Sequence, residues 1–396
     1  MRLSFDAAVE TFRREFLDWL AANRPSEAEM AADPARSSAH LPDWARRWAR
    51  RLFDAGWLVP GWPPELGGRN AGPVEQLVYL EEMTRAGVPR TTNPQGLGII
   101  APSILDYGSP EQVRDYALPI LRGEKAGCLG MSEPGAGSDL AALSTRAELH
   151  GDRFVISGQK VWTSGANYAD FCFLFCRTDP SAPKHRGISV VLVEMDRPGI
   201  LVKPLPEIVG RHHPDLNEVF FSEVEVPASQ LVGKLNNGWA MANGSLAHER
   251  GMVWLGSVMG LQAAAARLLA EAPRWLARME ATERAVSVDR IVRCYGDAQA
   301  ARCLGYRGFA KGVAGGTAPE QALMKLMSSE ARQRLALVAH ELRGARGLDA
   351  SPQLGPFSEW TPLEQYFVTF GGTISAGSSE IQRNIIAEKV LGLPRG

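Results

Sequence analysis

RFVISGQKVW, Arg153 to Trp162, is short, rich in Val, Ile and Phe, and lacks the three-and-four recurrence of apolar residues that marks a helix, so it reads as a strand. Three later stretches share its character: DFCFLFCRTD (170–179), GISVVLVEMD (187–196) and NEVFFSEVEVP (217–227), bounded by Gly, Asp and Pro. They predict a compact sheet domain over residues 126–235. Upstream, DWARRWARRLFDAG (43–56) and VEQLVYLEEMTRAG (74–87) repeat apolar residues at three and four, with Pro/Gly clusters such as VPGWPPELGG (59–68) between segments. Residues 1–125 therefore read as helical, and from NNGWAMANGS (236–245) long helical patterns return to the end of the chain. The order helical, sheet, helical predicts a segregated α+β fold of three domains, 1–125, 126–235 and 236–396. Strands do not alternate with helices, as a doubly wound sheet requires.

The chain has 396 residues, enough for two to three packed domains, and a net charge of -1 gives no global attraction to nucleic acid or an acidic membrane. MRLSFDAAVETFRREFLDWL places Phe5, Val9, Phe12 and Phe16 at helical spacing with charges between them, an amphipathic helix without the uninterrupted apolar segment of a signal peptide. No window approaches the length of a membrane span. Five cysteines, Cys128, Cys172, Cys176, Cys294 and Cys303, form no Cys-x-x-Cys pair, which argues against metal or disulfide use. In FCFLFC, Cys172 and Cys176 read as strand and core residues. The expectation is a cytoplasmic protein with no metal site.

Two motifs flank the first strand. In MSEPGAGSDL (131–140), Gly135-Ala136-Gly137 lets backbone approach a ligand closely, while Ser132 and Ser138 offer hydroxyls and N–H groups to a phosphate or a flavin ring edge. Its plainer reading is a glycine-rich turn. It is no dinucleotide fingerprint, because the third glycine is absent and strands, not a crossover helix, follow. In GQKVWTSGA (158–166), Trp162 stands beside Thr163 and Ser164 at a strand end, suited to lie against a flat cofactor while a hydroxyl bonds a ring nitrogen; the alternative is an ordinary buried strand aromatic.

Together with the helix bearing HERG (248–251) and the ending GSSEIQRNIIAEKVLGLP (377–394), these motifs make the chain resemble the acyl-CoA dehydrogenases over nearly its whole length. The resemblance implies an N-terminal helical domain, a β-barrel-like middle domain and a C-terminal four-helix bundle, assembled into tetramers around FAD. It implies oxidation of an acyl-CoA to its trans-2-enoyl thioester, with electrons passing to an electron-transfer flavoprotein. Carried onto this sequence, it places Leu129, Met131, Ser132, Gly137 and Ser138 along the flavin and its pyrophosphate, with Ser138 also near the CoA. Trp162, Thr163 and Ser164 would meet the ring, and Ser378, Ser379 and Glu380 would meet FAD at a helix N-terminus. Ser379-x-x-Gln382 also fits a capping box.

The base is displaced. Removing a proton beside a thioester needs a carboxylate, and the family commonly places it just before the Gly-Ser/Thr-Ser turn, where this chain has Ala376. A minority branch, including isovaleryl-type and actinobacterial steroid-degrading enzymes, carries it on a bundle helix before a characteristic arginine. Here that position is Glu249, with Arg250 serving the CoA tail or helix packing. The backbone N–H of Ala376, next to Gly377, would still serve the thioester oxygen. His248 reads as a packed or solvated residue.

Two departures remain. The family's Arg-x-Gln-Phe-Gly motif, which reaches a neighbouring subunit's FAD, is missing from APRWLARMEATERAVSVDR (272–290), and its Gln-x-x-Gly-Gly element carries Glu341 and Ala345 instead. Glu341 near a pyrophosphate would need an offsetting cation, Arg343 or Arg346. Either a different, paired chain supplies the cross-interface contacts in an α2β2 assembly, or a homotetramer uses other arginines, Arg274 or Arg278 among them. The same fold also hosts flavin monooxygenases and oxidases, and a non-catalytic partner subunit is a third reading. Small residues on the helix, Gly244, Ser245, Gly251 and Gly256, hint at room for branched or polycyclic acyl groups, though they equally permit close helix packing.

Overall fold

The computed structural model describes residues 5–209, 214–313, 320–349 and 361–394, without the side chains of 244–254, 312, 313, 320 and 321. The chain divides into two compact units, Met1–Tyr79 with Val88–Glu249, and Leu80–Gly87 with Arg250–Gly396.

The first unit opens with helices α1 (Ala7–Asn23), α2 (Glu27–Ala32), α3 (Asp43–Asp54) and the start of α4 (Pro73–Ala86), followed by α5 (Ala101–Tyr107), α6 (Pro110–Gln112) and α7 (Leu118–Leu121). Asp6 caps α1 by accepting from the Val9 N–H at 2.9 Å, and Val9, Phe12, Phe16 and Leu20 form its buried stripe. Phe5 precedes the cap and is only half-buried, so the apolar stripe runs one turn later than the spacing predicts. Phe16 is fully buried, its ring 4.8 Å from Trp57 and 4.7 Å from Tyr79, which makes an aromatic cluster the centre of this helical layer. On α3 the same logic buries Trp44, Trp48 and Leu52 and leaves Arg47 and Arg50 outside.

All strands among the described residues follow: β1 (Gly127–Gly130), β2 (Arg146–His150), β3 (Arg153–Lys160), β4 (Phe171–Arg177), β5 (Ile188–Glu194), β6 (Ile200–Pro204) and β7 (Asn217–Pro227). They form one sheet in the order β1-β4-β2-β3-β7-β6, with β5 also paired to β4. β1 runs parallel to β4, whereas β2–β3, β3–β7, β6–β7 and β4–β5 are antiparallel. Phe154, Ile156, Leu174, Val191, Val193, Val219 and Val224 fill the core between the curled parts of the sheet. Cys128, Cys172 and Cys176 lie in that core as free thiols, and burial pushes the Cys176 thiol up to about 12, so it stays neutral and inert.

The second unit is built from α8 (Gly238–Leu276) after Glu249, α9 (Ala281–Val313), α10 (Glu320–Glu341), α11 (Pro362–Ile374) and α12 (Ser379–Ile385). Val258, Leu261 and Leu268 of α8, Ile291, Ala298 and Ala301 of α9, and Met324, Leu335 and Val338 of α10 make its core. The helical, sheet, helical order of an α+β chain thus holds. No helix among the described residues is long and apolar enough to cross a membrane.

Phe16→Ala should lower first-unit stability by about 3–5 kcal/mol, because a fully buried ring leaves a cavity among neighbours that collapse only in part. Urea unfolding followed by tryptophan fluorescence measures it, with a markedly lower midpoint as the expected outcome.

Candidate active site

The first set of site residues lies where β3 ends. A bulge interrupts the β3–β7 ladder between Ile156 and Gly158. Gly158 has φ +155°, and a Cβ there would lie 2.6 Å from the Thr145 Cα, so only glycine fits. Beyond Lys160 the backbone enters the left-handed region at Trp162 (φ 59°), a costly place for an aromatic residue. Hydrogen bonds on both sides hold it there. Val161 N–H donates to the Ser132 carbonyl at 2.9 Å, Thr163 N–H donates to the Asn217 carbonyl at 3.0 Å, and the Asn217 side-chain amide returns a bond to the Thr163 carbonyl at 3.1 Å. The consequence is an indole 61 % exposed, standing out from a rigid base. The reading of Trp162 as an ordinary buried strand aromatic is excluded. Beside it, Thr163 is buried and its hydroxyl meets no partner among the described residues. Ser164 is half-buried next in line.

Leu129 lies on β1, and Met131 and Ser132 follow it half-buried. Glu133 and Ala136 then exchange backbone hydrogen bonds at 2.9 and 3.0 Å, closing a turn that leaves Gly135, Gly137 and Ser138 exposed. A Cβ on Gly135 or Gly137 would touch nothing within 4 Å, so the space in front of this backbone is open.

Both motifs are tied together by a pair that sequence reading passed over. Lys160, fully buried, donates to the Glu133 carboxylate at 2.8 Å and to the Met131 carbonyl at 3.0 Å. Glu133 also accepts from Ser144 N–H (2.6 Å), the Ser144 hydroxyl (2.8 Å) and Thr145 N–H (2.9 Å). Burial alone would raise its pKa, but the Lys160 charge and these donors overcome it and hold the carboxyl down to about 2. Burial pulls the Lys160 ammonium below its ordinary value, opposed by Glu133. The signal available was Lys160 itself, a lysine within an otherwise strand-like run.

The second set surrounds Ala376, in the second unit. Ala376 (φ 53°) and Gly377 (φ 85°) are consecutive left-handed residues, and a Cβ on Gly377 would lie 2.8 Å from Gln382 Nε2. Gln382 donates that amide to the Ala376 carbonyl at 3.3 Å, and the buried Lys325 ammonium donates to the Gly377 carbonyl at 2.6 Å. The N–H groups of Ala376, Gly377 and Ser378 meet no acceptor among the described residues. The cap of α12 is Ser378, whose hydroxyl accepts from Ile381 N–H at 3.3 Å. This corrects the expected Ser379-x-x-Gln382 box: the helix starts one residue earlier, with Ser378 as its cap, and Gln382 serves the turn instead. The buried Ser379 hydroxyl meets no partner among the described residues, and Glu380 is exposed, its carboxyl held low by its own N–H and the Ser378 hydroxyl. A cleft of about 450 Å³ runs along these residues, lined also by Glu330, Gln333, Arg334 and Thr373.

Glu249 and Arg250 lie on α8, but their side chains, like those of His248, Gly244, Ser245 and Gly251, are outside the described residues. Gly256 has nothing within 4 Å of where a Cβ would stand. Glu341 does have its cation, though not an expected one: it pairs with Arg290 of α9, while Arg343 is taken by Glu271 and the Ala339 carbonyl. The guanidinium carbons of Arg274 and Arg278 stand 5.2 and 5.5 Å from the Trp275 ring.

Known proteins resemble this arrangement. Three family models match: acyl-CoA dehydrogenase, N-terminal domain, over residues 8–124; middle domain over 128–224; and C-terminal domain over 236–391. Acyl-CoA dehydrogenase IpdE1 of Mycobacterium tuberculosis is 36 % identical over 394 residues, covering 98 % of each chain. Among solved structures, the Tcur3481-Tcur3483 steroid ACAD superposes with a TM-score of 0.83 at 29 % identity, covering 100 % of both chains. The ChsE4-ChsE5 complex from Mycobacterium tuberculosis gives 0.79 at 29 % identity, with the same coverage.

Glu133→Gln should destabilise the first unit by about 3–5 kcal/mol by leaving the Lys160 ammonium buried and unpaired. In the unsubstituted protein the pair's contribution is complete above the ordinary carboxyl value of 4.5 and is lost as pH falls through that value toward 2. Melting curves recorded across acid pH check both: Glu133→Gln should show a weaker pH dependence than the parent in that window.

Proposed function

Because this chain belongs to the acyl-CoA dehydrogenase family of oxidoreductases, we propose that it is an FAD-dependent enzyme that oxidises a branched or steroid-derived acyl-CoA to the trans-2-enoyl thioester. The observation that carries this reading is Trp162, an exposed indole fixed by its neighbours' hydrogen bonds beside an unpartnered buried hydroxyl. That is a platform for a planar ring. The steroid preference is supported by the likeness to a steroid ACAD and by the small residues of α8.

FAD fits the residues present. Leu129, Met131, Ser132, Gly137, Ser138, Trp162, Thr163 and Ser164 would hold its ring and pyrophosphate from the middle domain, 126–235, and Ser378, Ser379 and Glu380 from the C-terminal domain, 236–396. When bound, the flavin supplies the hydride acceptor for the β-carbon. In this reading Glu249 removes the α-proton, since the methyl group of Ala376 cannot. Closing the pocket around an apolar acyl chain desolvates that carboxylate and strengthens it as a base. Ala376 N–H, beside Gly377, receives the thioester oxygen, and Ser138 and Arg250 meet the CoA. Electrons pass to an electron-transfer flavoprotein, and the enzyme works in the cytoplasm.

A second reading concerns assembly. The Arg-x-Gln-Phe-Gly motif is missing from residues 272–290, and the Gln-x-x-Gly-Gly element carries Glu341 and Ala345 in place of its glutamine and second glycine. Both features support an α2β2 tetramer in which a paired chain supplies the cross-interface FAD contacts, over a homotetramer.

Anaerobic addition of a matching acyl-CoA, from a panel running from short linear to steroidal, should bleach the flavin without oxygen consumption; oxygen uptake instead would indicate an oxidase or monooxygenase. Glu249→Gln should keep its flavin and lose dehydrogenation by at least about a hundredfold, and normal turnover by that variant would remove Glu249 as the base. The chain purified alone should carry well under one FAD per subunit, measured by absorbance after denaturation, whereas full occupancy would favour the homotetramer.

A further inference from the structure

Lys325 is a buried cation for which the proposed chemistry has no use so far. It lies on α10, 2 % exposed, and its one described partner is a neutral group, the Gly377 carbonyl at 2.6 Å. No carboxylate among the described residues forms an ion pair with it. Glu330 is bound to Arg383 at 2.6 Å, and Glu380 is exposed. Burial pulls the Lys325 ammonium below its ordinary value, opposed through space by Glu330 and Glu380, neither of which pairs with it, and an apolar side chain would fill the same space at less cost. What it touches explains it. The carbonyl of Gly377 belongs to the same peptide as the Ser378 N–H, and the carbonyl of Ala376, held by Gln382, to the same peptide as the Gly377 N–H. A donor on a peptide oxygen polarises that peptide and strengthens its N–H as a donor. With that of Ala376, three successive N–H groups in this left-handed turn meet no acceptor among the described residues.

We propose that Lys325 is the positioning residue of an oxyanion site: its ammonium fixes the Ala376–Gly377 turn and gives it positive charge, so that a thioester oxygen is held more tightly as it gains negative charge. The inference rests on the dehydrogenase reading above and adds a residue to it. Lys325 touches no reacting atom; it acts through the turn, and the loss of the carboxylate at position 376 leaves the turn with this electrostatic task alone.

The test compares Lys325→Met, Lys325→Gln and Lys325→Arg with the parent, each as full-length enzyme loaded with FAD and with its paired chain if one is required. The probes are 3-thiaacyl-CoAs of several chain lengths, which ionise at the α-carbon but carry sulfur where hydride would leave. Their bound enolates give a long-wavelength absorbance against oxidised flavin, which is titrated with pH. In Met and Gln the apparent pKa of the bound probe should rise by about one unit or more, and flavin reduction by substrate should slow at least about tenfold with KM changed less than about twofold. Lys325→Arg should restore most of both, and FAD content should stay unchanged. An enolate pKa in Met and Gln equal to the parent's, even with lower melting temperatures, would make Lys325 a packing residue only and overturn the proposal. If the Met variant does not fold, equal values for Gln and Arg overturn it in the same way. Absence of the band in the parent with every probe would instead sink the dehydrogenase reading, and this inference with it.

Discussion

The Glu133–Lys160 ion pair is the constraint on which the first set of site residues depends. Neither group could be buried by itself, since an isolated ammonium or carboxylate out of water costs several kcal/mol. Joined at 2.8 Å and surrounded by Ser144, Thr145 and the Met131 carbonyl, they fasten the glycine-rich turn after β1 to the end of β3. The Val161–Ser132 backbone bond repeats that link one residue further on. Trp162 can occupy a strained backbone state and keep its indole in the open because both neighbours are pinned.

The same device recurs in the second unit with one difference. There too a buried lysine donates to a carbonyl of a turn, but Lys325 forms no ion pair with a carboxylate among the described residues. The first lysine makes a neutral, rigid scaffold. The second stands behind backbone N–H groups, attracted by Glu330 and Glu380 but in contact with neither. With alanine at position 376, that turn offers backbone groups with a buried lysine behind them.

Much of this was legible in the sequence, though unevenly. The strands in RFVISGQKVW and FCFLFC and the aromatic stripe of α1 are local patterns, and local physics decides them. The fold and family could therefore be expected from the four motifs, with the departure at Ala376. The partner of Glu341 could not. Arg343 and Arg346 are near in sequence, but Arg290 is the residue that meets it, because α9 packs along α10 and brings together residues about fifty positions apart. Likewise the cap of α12 moved from Ser379 to Ser378, since the Lys325 and Gln382 bonds to the turn set where the helix can begin.

By itself the sequence determined the order of helical and sheet regions, the placement of the glycine-rich and Trp-Thr-Ser motifs at strand ends, and the absence of a carboxylate at position 376. These follow from side-chain periodicity and residue identity, which need no distant partner. Only the tertiary structure decided that Trp162 is exposed rather than buried, that the Thr163 and Ser379 hydroxyls meet no partners among the described residues, and that two buried lysines stand behind the turns. Each of those is a question of which atoms from remote stretches come within hydrogen-bonding distance, and burial turns the answer into several kcal/mol either way.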